Sequence, residues 1–87
     1  MAKQLKLVGS EVALSNTASN LGLHKVIRVY NGNAADQLVT VKNGSTTVGT
    51  ITIKTKTDVI LEKNTEHTLE VGSGVAGVKA VAIAYSN

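Results

Sequence analysis

The chain has no cysteine, proline, tryptophan or phenylalanine, one methionine, and two aromatic residues, Tyr30 and Tyr85. Without cysteine there is no disulfide scaffold, no zinc finger and no thiol chemistry. Without stacking aromatics or a run of basic residues, the usual surface for single-stranded nucleic acid is not built. The two histidines, His24 and His67, form no HxH or HExxH pattern, and a zinc site needs three or four ligands. No stretch approaches the roughly 18 apolar residues that cross a bilayer as a helix. The start, Met1 to Val8, carries two lysines but no apolar core or cleavage site of a signal peptide. The expectation is therefore a chain made in a cytoplasm.

What is present is aliphatic and β-branched. Of the 87 residues, 25 are Leu, Ile or Val and ten are Thr, with eight Gly and seven Asn. That much Leu, Ile and Val excludes disorder from poor hydrophobicity. One domain over residues 1–87 is expected, and it buries only about 60–65 % of its unfolded surface. No disulfide or metal staples it, so docking onto other copies or a larger body is expected. The net charge is +3, with a sequence pI near 9.4. The first third is basic, and Lys54 to Glu70 is mixed, with three lysines against four acids.

Strand signals recur along the chain, separated by Gly, Asn, Asp and Ser clusters. Gln4–Val8 alternates Leu5 and Leu7 with Lys6, and residues 1–8 read as an N-terminal arm or an edge strand. Residues 9–22 are loop-rich, with a short edge strand at Val12 and Leu14. Leu23–Tyr30 reads as a central strand, with Leu23, Ile27 and Val29 on one face and Val26 and Tyr30 beside His24 and Arg28 on the other. Asn31 to Asp36 is a loop of residue types that tolerate left-handed backbone.

Leu38–Lys42 and Thr46–Ile53 flank Asn43-Gly44, a hairpin signal. A two-residue loop there puts Val39 opposite Val48, and a four-residue loop puts Val41 opposite Val48. The apolar parity then shifts to Ile51 and Ile53, which calls for a bulge at Gly49. Asp58–Glu62 is a strand, Asn64–Val71 a loop and short strand around Leu69, and Gly72-Ser73-Gly74 a corner. Val75–Tyr85 alternates Val81, Ile83 and Tyr85 with Ala80, Ala82 and Ala84. Such alternation favours a strand over an alanine helix. The alanine face admits another backbone closely, from a second sheet or a second copy. The expectation is all-β: a small antiparallel β-sandwich or barrel of about seven short strands.

Catalytic patterns are weak. His67 lies near Glu66 and Glu70, Asp58 and Glu62 share a strand face with Lys54 and Lys56, and no serine sits in a GxSxG elbow. Gly72-Ser73-Gly74 lacks the lysine and spacing of a phosphate loop. Tyr30 and Tyr85 are either binding hot spots or large fillers of an aliphatic core.

The segments Thr17-Ala18-Ser19-Asn20 and His24-Lys25-Val26-Ile27-Arg28-Val29-Tyr30-Asn31, with Gly49-Thr50-Ile51-Thr52-Ile53 and Glu62 to Glu70, carry a resemblance. Over most of residues 17–85 the chain resembles small virion structural proteins of tailed phages, particularly marine ones. Those combine a T-A-S/T-N loop, a K-V-V-R-V-Y-N strand, a G-x-(I/F)-T-(I/L) strand and a K-x-x-x-(D/H)-T-L-E turn. Val78 to Tyr85 resembles their hydrophobic closing strand. His67 stands where Asp is expected, and the loop before it lacks a Pro.

The resemblance implies a capsid decoration or cement protein on the virion surface, bound to the major capsid protein and held by many modest contacts. It implies no enzymatic activity, no cofactor and no metal. Self-association as a dimer or trimer is expected, with no membrane partner. The expected contact residues are Lys3, Leu5, Lys6, Leu7, Val12, Leu14, Tyr30 and Tyr85. Deletion of residues 1–8 is expected to abolish capsid binding while leaving folding intact. Two other classes stay open: a tail or fibre adhesin domain binding host glycan, and a small β-barrel binding single-stranded nucleic acid, which would be salt-sensitive.

Overall fold

β-Branched runs divided by turn residues form eight antiparallel strands in a computed structural model, which describes residues 4–17 and 19–86. They are β1 (Gln4–Leu7), β2 (Val12–Ala13), β3 (Val26–Asn31), β4 (Gln37–Asn43), β5 (Thr46–Ile53), β6 (Thr57–Glu62), β7 (Thr68–Glu70) and β8 (Val78–Ser86). The larger sheet has the order β1-β8-β3-β6, with β2 also on β8, and the smaller has the order β5-β4-β7. β1 and β2 lie end to end along one edge of β8, Leu7 opposite Ile83 and Val12 opposite Ala80. The fold is therefore all-β as expected, a sandwich of two separate sheets with one strand more than the pattern gave.

Alternation sends Ile27 and Val29 of β3, Val78, Ala80 and Ala82 of β8, Val39, Ile53 and Leu69 into one core between the sheets. The alanine face of β8 thus meets the second sheet of its own chain. β3 sits between β8 and β6, so the two-sided apolar pattern did mark an interior strand.

Three local readings are corrected. β3 begins at Val26, because Leu21, Gly22 and Leu23 all have left-handed backbone, φ 58°, 77° and 65°. Leu23 is consequently exposed rather than on the inner face. The Ser19 hydroxyl accepts from the Leu21 amide at 3.2 Å and the Asn20 carboxamide from the Gly22 amide at 3.0 Å, which holds the turn. None of Asn31 to Asp36 has positive φ; that loop is shaped by side-chain hydrogen bonds instead. In the β4–β5 hairpin the two loop residues are Gly44-Ser45, Asn43 opposite Thr46. The ladder then slips between Val41 and Lys42, so that Val48, not Gly49, is the extra residue.

Asn31, at the end of β3, is fully buried. Its amide nitrogen donates to the Ile53 carbonyl at 2.8 Å and the Ala35 carbonyl at 3.1 Å, and its oxygen accepts from the Asn33 amide at 2.9 Å. Asn31→Ala leaves these groups without partners, and a loss of roughly 2–3 kcal/mol is expected in urea unfolding; an unchanged midpoint would contradict the bridging role.

Gly77, φ 85°, accepts at its carbonyl from the Gly32 amide at 2.8 Å, and a Cβ there would stand 3.1 Å from the Asn33 nitrogen. Around Gly49 nothing lies within 4 Å of a Cβ. Gly77→Ala is expected to lower stability by about 1–2 kcal/mol or more, while Gly49→Ala leaves it unchanged or raises it slightly. Thermal unfolding of the pair checks both.

Candidate functional site

The expected contact residues divide by face. Leu7 on β1 is 70 % exposed, and Lys6 beside it is exposed. Leu5 pairs with Tyr85 along the backbone, while Lys3 and the side chains of Leu5 and Tyr85 lie outside the described residues. Two assignments are corrected. Leu14 is a core residue at 4 % exposure, and Val12 packs against that core opposite Ala80. Both alternate inward, which leaves Leu14 almost no surface to offer a partner and Val12 only part of its own. Of the two readings of residues 1–8, arm or edge strand, residues 4–7 take the second: they pair with β8, and the Val8 amide donates to the Ala82 carbonyl at 3.1 Å. Removing residues 1–8 would strip an edge from the sheet.

Tyr30 does not fill the core. It stands on the outer face of the larger sheet, its ring 5.7 Å from the Arg28 guanidinium, a distance that allows a cation–π contact. Arg28 also donates to the Asp58 carboxylate at 2.7 Å. Lys79 lies 4.0 Å from Glu11 on the same face. The carboxylate pairings suspected from sequence dissolve here: Asp58 is held by Arg28, and Glu70 by Lys42 at 3.3 Å. Among the described residues, no three His, Asp or Glu side chains gather in metal-binding geometry.

The outer face of the larger sheet carries apolar side chains from β1, β8 and β6, with Arg28 of β3 among them. Val81 and Ile83 are 6 % and 3 % exposed yet stand outside the inter-sheet core. Ile83 lies opposite Leu7, Val81 opposite Arg28, and Arg28 opposite Ile60, which is 44 % exposed. Strand alternation puts all five on one side. The place of Ile60 in this patch follows only once β6 is known to flank β3.

A groove of about 220 Å³ opens between the sheets where β5 and β6 diverge, with Val41, Val48, Ile51 and Leu61 against Glu62, Lys63 and His67. Two more polar depressions share His67, one with Lys25 and Glu66 and one with Lys25 and Lys63. Lys63 is buried, 5 % exposed. Its ammonium donates to the Asn64 and Thr65 carbonyls, both at 3.2 Å, and its amide donates to the Lys25 carbonyl at 2.8 Å. Burial pushes its pKa below the ordinary 10.5. No periodic signal marks Lys63, because it follows the last residue of β6 and turns inward with the chain. His24 lines a separate depression with Ser19, Leu21 and Val12 beside the left-handed turn.

In comparisons with known proteins, no family model matches the chain, and neither a curated protein nor a solved structure matches it.

The lowered Lys63 pKa fixes the sign of a pH effect. Between that value and 10.5 the unfolded chain holds more protons than the folded one, so stability rises with pH across that window. Relative to Lys63→Met, the wild-type chain should therefore gain stability as pH climbs toward 10.5. Parallel denaturant titrations at several pH values measure it, and a constant difference would refute the burial penalty.

Proposed function

We propose that this chain is a non-enzymatic structural protein of a phage virion, a capsid decoration or cement protein that binds the outer surface of a shell of major capsid protein. One observation carries the reading beside the sequence resemblance. β8, the strand on which β1, β2 and β3 all pair, gives its small residues Ala80 and Ala82 to the core and its larger Val81 and Ile83 to the outer face. Val81 and Ile83 are buried within the single chain, so the apolar surface that face offers to a partner is that of Leu7 and Ile60, 70 % and 44 % exposed. Two exposed apolar side chains on one sheet face, with the Arg28–Asp58 and Lys79–Glu11 pairs among and beside them, suit a docking surface of mixed apolar and polar contacts.

Each copy contributes modestly, and attachment across neighbouring capsid subunits multiplies the contacts into firm binding. Shell stabilisation then follows by mass action, since a ligand that binds only the assembled shell opposes its disassembly. Leu7 is the side chain to test, because its exposure makes a polar replacement harmless to folding. Leu7→Asp should weaken co-sedimentation with bare capsids about ten- to a hundredfold, the value of one buried leucine. Its circular dichroism should stay that of wild type. Wild-type binding by both Leu7→Asp and Ile60→Asp would overturn this face as the attachment surface. Glycan-array binding without capsid binding would move the protein to the adhesin class.

A further inference from the structure

We infer that the outer edge of β5 is a homodimer interface, on which two copies pair their β5 strands antiparallel across a twofold axis centred on Thr50. β5 ends its sheet, and no described strand pairs with its outer side. Unpaired N–H and C=O groups on such an edge are satisfied equally well by water or by another strand, and natural proteins protect long edges with charges, prolines or coverage. This edge carries few of those devices. From Asn43 to Ile53, NGSTTVGTITI, no residue is charged and none is proline. Its one protective feature is the bulge at Val48.

The other edges are defended. β6 bears Asp58 and Glu62, β1 bears Lys6, and β7 is three residues long and partly covered by the Ser19–Leu69 bridge. The occupant follows from the chemistry. A neutral strand meets a second copy of itself without repulsion, whereas a charged edge cannot. A twofold contact needs that self-complementarity, because each patch must face itself.

A register centred on Thr50 sets Gly49 of each copy beside Ile51 of the other and pairs two β-branched threonines at the axis. Thr46 to Thr50 are all exposed in the single chain, as is Val48 at 54 %. Pairing covers this stretch and merges two three-stranded sheets into one of six. The surface is distinct from the outer face of the larger sheet, so loss of dimerisation and loss of capsid binding are separable outcomes.

The test uses the whole chain in analytical ultracentrifugation at about 100 µM, where even weak pairing is populated. Wild type should sediment at twice the 9.0 kDa chain mass. Thr50→Lys and Thr50→Glu each place like charges at the axis, and each should sediment as a single chain with wild-type circular dichroism. Their equimolar mixture should return to the double mass. A monomeric wild type, a trimer or larger assembly, a Thr50→Lys dimer, or a mixture that stays monomeric would each overturn the proposal.

Discussion

The sandwich is closed at one end by the side chain of Asn31. Standing at the end of β3 in the larger sheet, it reaches the Ile53 carbonyl at the end of β5 in the smaller one. Its own carbonyl accepts from the Lys56 amide at 2.7 Å, which fixes the turn between β5 and β6. A buried amide that finds all these partners is conformationally specific, because any shift of one sheet leaves donors unmet. The neighbouring residues extend the knot. Asn33 takes the Ala35 amide and the Gln37 side chain, Thr55 donates to the Asn33 carbonyl, and Asp36 accepts from the Thr55 amide. Along the strands from this closed end, β5 and β6 part, and the groove beside Val48, Leu61 and Lys63 lies where no such tie exists.

Strand positions were legible from the sequence because period-two alternation survives in β4, β6 and β8. The bulge was legible too, from the parity break between Val48 and Ile51, and its displacement by one residue reflects a turn built on Gly44-Ser45. The limits have physical causes. Leu21 and Leu23 adopt backbone that leucine ordinarily avoids, and the Ser19 and Asn20 side chains that hold it there leave no periodic trace. Leu14 looked like a surface residue because its neighbours are small and polar. It is buried because its amide donates to the Val78 carbonyl at 2.8 Å, carrying the β8 edge one residue further.

The surfaces were harder to read than the core. Alternation separates two faces of a strand but does not say which one a second sheet will cover. In β8 the pattern of alanines against Val81 and Ile83 was visible, yet its inside and outside follow only from where β4 and β7 lie. Leu7 and Ile60 are 53 positions apart in sequence and share a face only through two intervening strands. Lys63 is hidden for a local reason: its ammonium folds back onto the carbonyls of Asn64 and Thr65 in the turn that follows it, while its amide donates to the Lys25 carbonyl.

The position of β8 has a consequence for how the molecule is born. β1, β2 and β3 all pair with β8, a strand far along the chain from each of them. Before Val78–Ser86 is made, the larger sheet lacks its middle: β1 and β2 have nothing to zip against, and β3 has only β6. Folding is therefore late and dominated by distant pairings, which are slow to form.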